Sequence, residues 1–294
     1  MNKLIACLLI ILIIGSIPLF GQETWVLKSA DENVPVPYAK VTELNSQQWT
    51  SSNQQGEFYL DISLVPDDAK FSISAIGYAD TLMPVGLLKK SRSLLLRPRF
   101  VEMEEHLVVS KTLKKHVVGD FDLPLSLSKA EGRKRNPITT NRYAVYFEFP
   151  GKKTKILSRI SFYLTDLGDP DPKMTVRVLV SDDIKKPKEG DIHSISQFKD
   201  IRGQSHSLYE ANGYGWTELD LSGDEIIIPE KYKGAFIVFD VVNEGQEPHK
   251  TMVIPFQNQS NEKIFAAFYN TGGSIGILNK RKDHFAVILE YFTE

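Results

Sequence analysis

The hydrophobic pattern is most regular between Val36 and Tyr78. Phe58, Leu60 and Ile62 alternate with Glu57, Tyr59 and Asp61, and Phe71, Ile73 and Ala75 alternate with Ser72 and Ser74. A period of two sends successive side chains to opposite faces, as a strand with one buried face requires. The pattern extends to both sides and predicts seven short strands: Thr24–Lys28, Tyr38–Leu44, Trp49–Ser52, Glu57–Ile62, Lys70–Ile76, Asp80–Val85 and Ser93–Arg97. That spacing suits a β-sandwich. Ser29–Asn33 and Val65-Pro66-Asp67-Asp68 are turn signals. Asn53-Gln54-Gln55-Gly56 predicts a hairpin joining Trp49–Ser52 to Glu57–Ile62, with Gly56 at positive φ. Pro35 and Pro37 lead into Tyr38–Leu44, and because proline lacks an N–H this entry is expected at a sheet edge.

A second β-rich block runs from Asn141 to Glu294. Tyr143, Val145, Phe147 and Phe149 alternate, as do Ile156, Ser158, Ile160 and Phe162, and Val176, Val178 and Val180 alternate against Arg177 and Leu179. Trp216–Leu221, Ile226–Ile228, Ala235–Val242, Thr251–Phe256, Ile264–Tyr269 and Phe285–Phe292 complete nine or ten strands, with Ala235–Val242 apolar enough to be central. One helix is predicted, near Ile192–Ile201. The fold class is therefore all-β: an N-terminal sandwich and a C-terminal jelly-roll-like sandwich. Gly272-Gly273-Ser274-Ile275-Gly276 has no strand–loop–helix context for phosphate binding and reads as a hairpin.

The ends of these blocks divide the 294 residues into a leader (1–21), a first domain (22–99), a linker (100–137) and a second domain (138–294). In the leader, Lys3 precedes an apolar run from Leu4 to Ile14, and one small residue, Gly21, stands before Gln22, the layout of a secretory signal peptide. The apolar run is short for a membrane span and is followed by Gly15 and Pro18. Cys7 is the only cysteine. Leu4-Ile5-Ala6-Cys7 matches a lipoprotein box superficially, but it lies at the start of the apolar core and not after it. An exported chain without the leader has no thiol for a disulfide, a metal or a nucleophile. Apolar residues make up 42% and charged residues 24% of the chain, as in a globular protein, and a net charge of −2 gives no reason to expect nucleic acid. In the linker, Glu102, Glu104 and Glu105 precede Leu107-Val108-Val109, and Lys111, Lys114, Lys115 and Arg133-Lys134-Arg135 follow. We expect this segment to lend an extended strand to a neighbour and its basic residues to lie in solvent, with partner binding as the alternative.

The run P-V-P-Y-A-K-V, then N-x-x-G-E-F, F-S-I-S-A-I-G-Y and L-L-L-R-P resembles the carboxypeptidase-like regulatory domain over Glu23–Arg99. That domain is a transthyretin-like Greek-key sandwich, also found at the N-terminus of many TonB-dependent outer-membrane transporters. Ser52-Asn53 stands where the family often has Thr-Asp, and Asn accepts the same turn geometry. The resemblance implies a fold and an exported, envelope-associated setting, and no catalytic residues. Leu107-Val108-Val109-Ser110 is similar to the run that leads to the barrel in the transporters, but the chain left here is too short for one. G-W-x-E-L-D-L-S followed by I-I-I-P resembles the C-terminal sandwich of some secreted proteins, and more loosely jelly-roll carbohydrate-binding modules.

No reactive constellation is apparent. His106, His116, His193, His206, His249 and His284 form no H-E-x-x-H or H-x-x-E pattern, which argues against zinc hydrolysis, and G-x-S-x-G is absent. Asp166, Asp169 and Asp171 crowd one loop with Gly168, Pro170 and Pro172, a composition that calcium or an ordinary polar loop explains equally well. Tyr209, Tyr214 and Trp216 would make an aromatic platform for a sugar ring, with Glu210 and Asn212 fixing hydroxyls. The favoured alternative is that Trp216 begins a strand and packs in the core, and that Asp220 caps the turn before Gly223. These patterns predict an exported, non-enzymatic protein with no cofactor, a docking or spacer sandwich joined to a binding one. The resemblance implies the cell-envelope setting, and with it an envelope protein or glycan as partner. The rival readings are a glycan-binding module accessory to outer-membrane import, and a hydrolase whose site is assembled from scattered Asp, Glu and His residues.

Overall fold

The computed structural model describes residues 23–46, 48–99, 113–122, 125–126, 142–183, 187–188, 190–201, 207–243, 251–258, 264–270, 274–277 and 283–293. The leader with Cys7, Leu107–Val109 and Arg133–Arg135 lie outside the described residues. The chain is all-β.

Residues 24–96 form seven strands: β1 (Thr24–Ser29), β2 (Lys40–Glu43), β3 (Trp49–Ser51), β4 (Glu57–Tyr59), β5 (Lys70–Ser74), β6 (Thr81–Pro84) and β7 (Ser93–Leu96). One sheet has the order β4-β1-β7 and the other β3-β2-β5-β6. Between them lies a core of Trp25, Leu27, Val41, Phe58, Phe71, Ile73, Leu94 and Leu96, closed by Val85 and Leu88 of helix α1 (Val85–Lys90). The alternation in β1 matches a strand with one face buried.

Two expectations for this half are corrected, and one element is added. β3 and β4 do not pair: β3 pairs with β2 and β4 with β1, so Asn53–Gly56 crosses from one sheet to the other. The same residues suit either connection, because the chain reverses in both. Gly56 does take positive φ (74°), and a Cβ there would lie 2.5 Å from the Leu27 carbonyl oxygen. β2 is an interior strand and not an edge, because Pro35 and Pro37 end before the ladder begins. Helix α1 was not anticipated, since six residues are too few to display a 3.6-residue period.

The second half is built on two larger sheets. The first contains β10 (Arg142–Glu148), β12 (Lys173–Val180), β13 (Ile192–Ser194), β14 (Lys199–Asp200), β15 (Leu208–Glu210), β18 (Gly234–Val241), β20 (Ile264–Asn270) and β21 (Ser274–Ile277). Its order is β13-β21-β20-β10-β18-β12-β14, and β15 also pairs with β12. The second contains β8 (Lys114–Val118), β11 (Lys155–Leu164), β16 (Gly215–Asp220), β17 (Ile227–Ile228) and β23 (Val287–Thr293), ordered β16-β11-β23-β8 with β17 beside β11. A small third sheet joins β22 (Asp283–Phe285), β19 (Phe256–Asn258) and β9 (Leu125–Ser126). Every pairing in this half is antiparallel.

The core between the two larger sheets includes Tyr143, Val145, Phe147, Val176, Val178, Ile237 and Phe239 facing Leu157, Ile160, Phe162, Leu219, Val287 and Leu289. β18 is central, as its apolar composition predicts, and the linker does lend a strand, β8, to the second sheet. β20 and β21 pair antiparallel with Asn270 opposite Ser274, and the Gly272-Gly273 turn expected between them lies outside the described residues. The helix expected near Ile192–Ile201 is instead strand β13 followed by a single 3-10 turn, Ile195–Gln197. Its apolar residues Ile195 and Phe198 pack on the outer face of the large sheet rather than along a helical stripe. The strand count exceeds the nine or ten expected, because two- and three-residue strands carry no readable period.

Candidate functional site

Among the described residues, a cluster of buried ionisable groups lies where the two halves meet. In β2, Lys40 and Thr42 share a face with Ser51 and Trp49 of β3 and with Ser74 and Ser72 of β5. This is the outer face of its sandwich, and its polar residues suggest solvent, yet all six residues are buried. They lie against one end of the outer face of the large sheet, where Arg142 of β10, Arg177 of β12 and Asp240 of β18 are buried too.

The large sheet pairs its own charges. Arg142 and Asp240 are cross-strand neighbours, and the Arg142 Nε donates to Asp240 Oδ1. The Arg177 Nε donates to Asp200 at 3.0 Å. The first sandwich then reads these pairs. Lys40 Nζ lies 4.0 Å from Asp240 and 4.3 Å from the Trp49 ring centroid. Ser74 Oγ accepts from Arg177 Nη1 at 2.9 Å, and Asp80 lies 3.9 Å from the same guanidinium. The Ser51 N–H donates to the Asn243 carbonyl at 2.9 Å, and Arg99 donates to the Phe198 carbonyl at 3.1 Å.

Burial lowers the pKa of Lys40 well below the 10.5 of a free amine, Arg142 lowers it further, and Asp240 opposes both. Burial alone would raise the Asp240 carboxyl, but Arg142, Lys40 and Arg177 outweigh it and hold it below 3.8. The two shifts share a direction because Asp240 faces three cations, whereas Lys40 has one carboxylate against a guanidinium. Both make the closed joint bind fewer protons than the separated chain. Its stability therefore declines as pH falls from 10.5 toward the lowered Lys40 value, and again below 3.8 as Asp240 protonates.

Two cavities flank Arg177. One is lined by Tyr38, Lys40, Ser51, Ser74 and Asp240, the other by Tyr78, Asp80, Arg99, Phe198 and Asp200, and each holds about 10 Å³. That is room for about one water. A depression of about 440 Å³ at Leu44, Asn45, Pro66, Asp68, Ala69 and Lys70 opens on the surface of the first sandwich.

The aromatic residues expected as a platform are divided between sheets. Tyr209 and Glu210 lie on β15 at the side of the large sheet, where the Tyr209 hydroxyl donates to Asp224. Asn212 and Tyr214 are exposed on the connection that crosses to the other sheet. Trp216 is the second residue of β16 and is half-buried, directly across from Tyr163 of β11. It therefore lies near the start of a strand, one residue in, but it stands at the edge of the core and not inside it as the favoured alternative expected. Its ring meets Tyr163 edge-on at 5.7 Å and Phe121 at 4.8 Å. Phe121 went unnoticed in the sequence because it lies far along the chain, on the turn after β8. The Gln257 side chain donates to the Asp120 carbonyl at 2.9 Å and helps hold that turn.

The three aspartates are not gathered around a common point. Asp169 accepts from the Thr251 N–H and, in turn, donates its own N–H to the Thr251 carbonyl at 2.9 Å. Asp166 and Asp171 are exposed. Among the described residues no group of three His, Cys, Asp or Glu side chains is placed to hold a metal ion. The loop instead braces the aromatic connection, because Gly213 N–H donates to the Pro170 carbonyl at 2.7 Å and Tyr214 Oη donates to the Gly168 carbonyl at 3.3 Å. Asp220 does cap its turn, accepting from the N–H and hydroxyl of Ser222. No described helix is long and apolar enough to cross a membrane.

No family model matches this chain, and no curated protein is significantly similar to it. Among solved structures, it is similar to the cysteine protease and lectin-like domains of Cwp84, a surface layer associated protein of Clostridium difficile. That match has 9% identity and a TM-score of 0.37, and it covers 93% of this chain and 63% of that one. It is also similar to a clostridial cysteine protease Cwp84 variant after propeptide cleavage, with 9% identity, a TM-score of 0.39 and coverage of 93% and 71%. The chain thus spans less than two thirds of the first of these structures. Scores this low do not establish a common fold.

Proposed function

We propose that this chain is an exported, non-catalytic protein of the cell envelope, with a docking or spacer sandwich joined to a sandwich that binds an envelope protein or glycan. The observation that carries this reading is the state of the buried charge cluster between the two halves. Lys40, Arg142, Arg177, Asp200 and Asp240 are buried and engaged with one another, beside cavities that hold about one water each. Such groups fix one sandwich on the other and leave no room for a substrate. The seven-stranded first half suits the transthyretin-like domain that its sequence resembles, and with it the exported setting.

A second reading is supported by the aromatic cluster. Trp216, Tyr163 and the 43%-exposed Phe121 form an apolar aromatic corner beside Tyr214, and Arg159 and Glu218 pair at 3.0 Å on the neighbouring strand positions. A pyranose ring stacks on such a corner, and charged neighbours hold its hydroxyls. Both readings are tested by capture from envelope extracts in parallel with a glycan array. A glycan site predicts array binding that falls roughly tenfold or more on Trp216→Ala. Capture of one protein partner with no array signal supports the docking reading. Substrate turnover by the purified protein would overturn both.

A further inference from the structure

One tip of the C-terminal sandwich is basic, although the chain as a whole carries a net charge of −2. Three segments distant in sequence meet there. β8 begins with Lys114 and Lys115, and Lys114 pairs with Thr293 of β23. Thr293 in turn pairs with Lys155 at the start of β11, just after the turn that carries Lys152 and Lys153. Lys155 also pairs with Ile228, whose strand runs into the turn that carries Lys231 and Lys233, and the Phe149 N–H donates to the Lys233 carbonyl at 2.7 Å.

Lys114, Lys115, Lys152, Lys153, Lys231 and Lys233 are all exposed. Among the described residues the acidic groups beside them are Glu148, Glu230, Glu290 and Asp182, so six ammonium groups meet four carboxylates. Glu290 pairs with Lys115 at 2.8 Å. Asp182, which Lys231 approaches at 3.8 Å, is engaged more closely by Lys199 at 2.9 Å. The positive field reaches the groups beneath it. Burial, then Lys114 and Lys153, push the His116 imidazole below its ordinary value, and burial followed by Lys233 does the same to the Lys155 amine.

We infer that this lysine-bearing tip is a contact surface for an anionic lipid bilayer. Its ammonium groups are compact point charges on flexible stems, spread over three adjacent segments. They lack the planar fork with which arginine grips a single carboxylate or phosphate. A laterally extended layer of phosphate headgroups suits such an array, and attraction of this kind is reversible and falls as salt screens it.

The test is flotation of the purified protein with vesicles of phosphatidylglycerol and phosphatidylcholine, and with phosphatidylcholine alone, at low and high salt. The protein should float only with the anionic vesicles and only at low salt. Charge removal at Lys152, Lys153, Lys231 and Lys233 by Lys→Gln should lower partitioning at least about 100-fold. Lys114→Gln with Lys115→Gln should weaken it independently. Lys89→Gln with Lys90→Gln, on the first sandwich, should leave it unchanged. Absence of flotation, equal loss in the control, or retention in the four-site variant would overturn the inference. Binding of a soluble anionic polysaccharide without vesicle binding would overturn it too, and would assign the lysines to a glycan.

Discussion

Asp240→Ala is expected to destabilise the protein by about 3–5 kcal/mol, read as a lower midpoint in chemical denaturation. The Asp240 side chain is 9% exposed and faces Arg142, Lys40 and Arg177. Alanine leaves cations from both sandwiches buried opposite a void. Lys40 can respond by losing its proton, but a guanidinium cannot. Asp240→Asn keeps the shape and an acceptor for the Arg142 Nε, so its loss should fall between alanine and wild type. Replacing Asp240 and Arg142 together by leucine should cost less than the sum of the single changes, because neither charge is then abandoned. Additive losses would mean that the two groups do not act on each other.

Trp25→Ala should cost about 3–5 kcal/mol, through a different mechanism. The indole is fully buried between the sheets of the first sandwich and stacks on Phe58 at 5.6 Å. Its Nε1 donates to the Leu88 carbonyl at 3.0 Å, within the last turn of α1. Alanine removes this packing and leaves a cavity, and it takes from the Leu88 carbonyl one of its two donors, leaving the Ser91 N–H at 3.2 Å. Trp25→Phe retains most of the packing and should cost about 1–2 kcal/mol, mainly for the lost hydrogen bond. The first sandwich covers Arg142, Arg177 and Asp240 of the second, so loosening it exposes groups in both halves. The unfolding transition of Trp25→Ala should accordingly shift as one. Separate transitions for the two halves would indicate that the joint contributes little.

Strand positions were legible wherever one face of a sheet meets a core and the other meets water, as in β1. The pattern misleads where a second protein layer replaces water. Lys40, Thr42, Ser72 and Ser74 read as a solvent-facing set, yet they are the buried joint. A polar residue in a strand shows only that its face is not an apolar core. The joint did leave a trace, because Arg177 and Asp240 each interrupt a nearly continuous apolar strand. That is unusual in a strand buried on both faces unless the charge has a partner. Sheet membership was less legible than strand existence. Asn53–Gly56 has the composition of a hairpin turn but connects two sheets. Tyr209 and Trp216 are close in sequence but belong to different sheets, and Phe121 reaches Trp216 only through the path of the linker over the second sandwich. The resemblance of the first half to the regulatory domain could suggest its sandwich, but not the surface that this sandwich would cover.

The central claim is that the charged joint is closed and structural, which is the observation the proposed binding role rests on. Its most direct test is the reactivity of Lys40 toward an amine-directed reagent in the native protein, read by mass spectrometry. Lys40 should remain unmodified when the exposed Lys152 and Lys153 have reacted fully, and should become reactive only on denaturation. Modification of native Lys40 at the rate of those surface lysines would contradict the account, since a joint open to a reagent is open to a substrate.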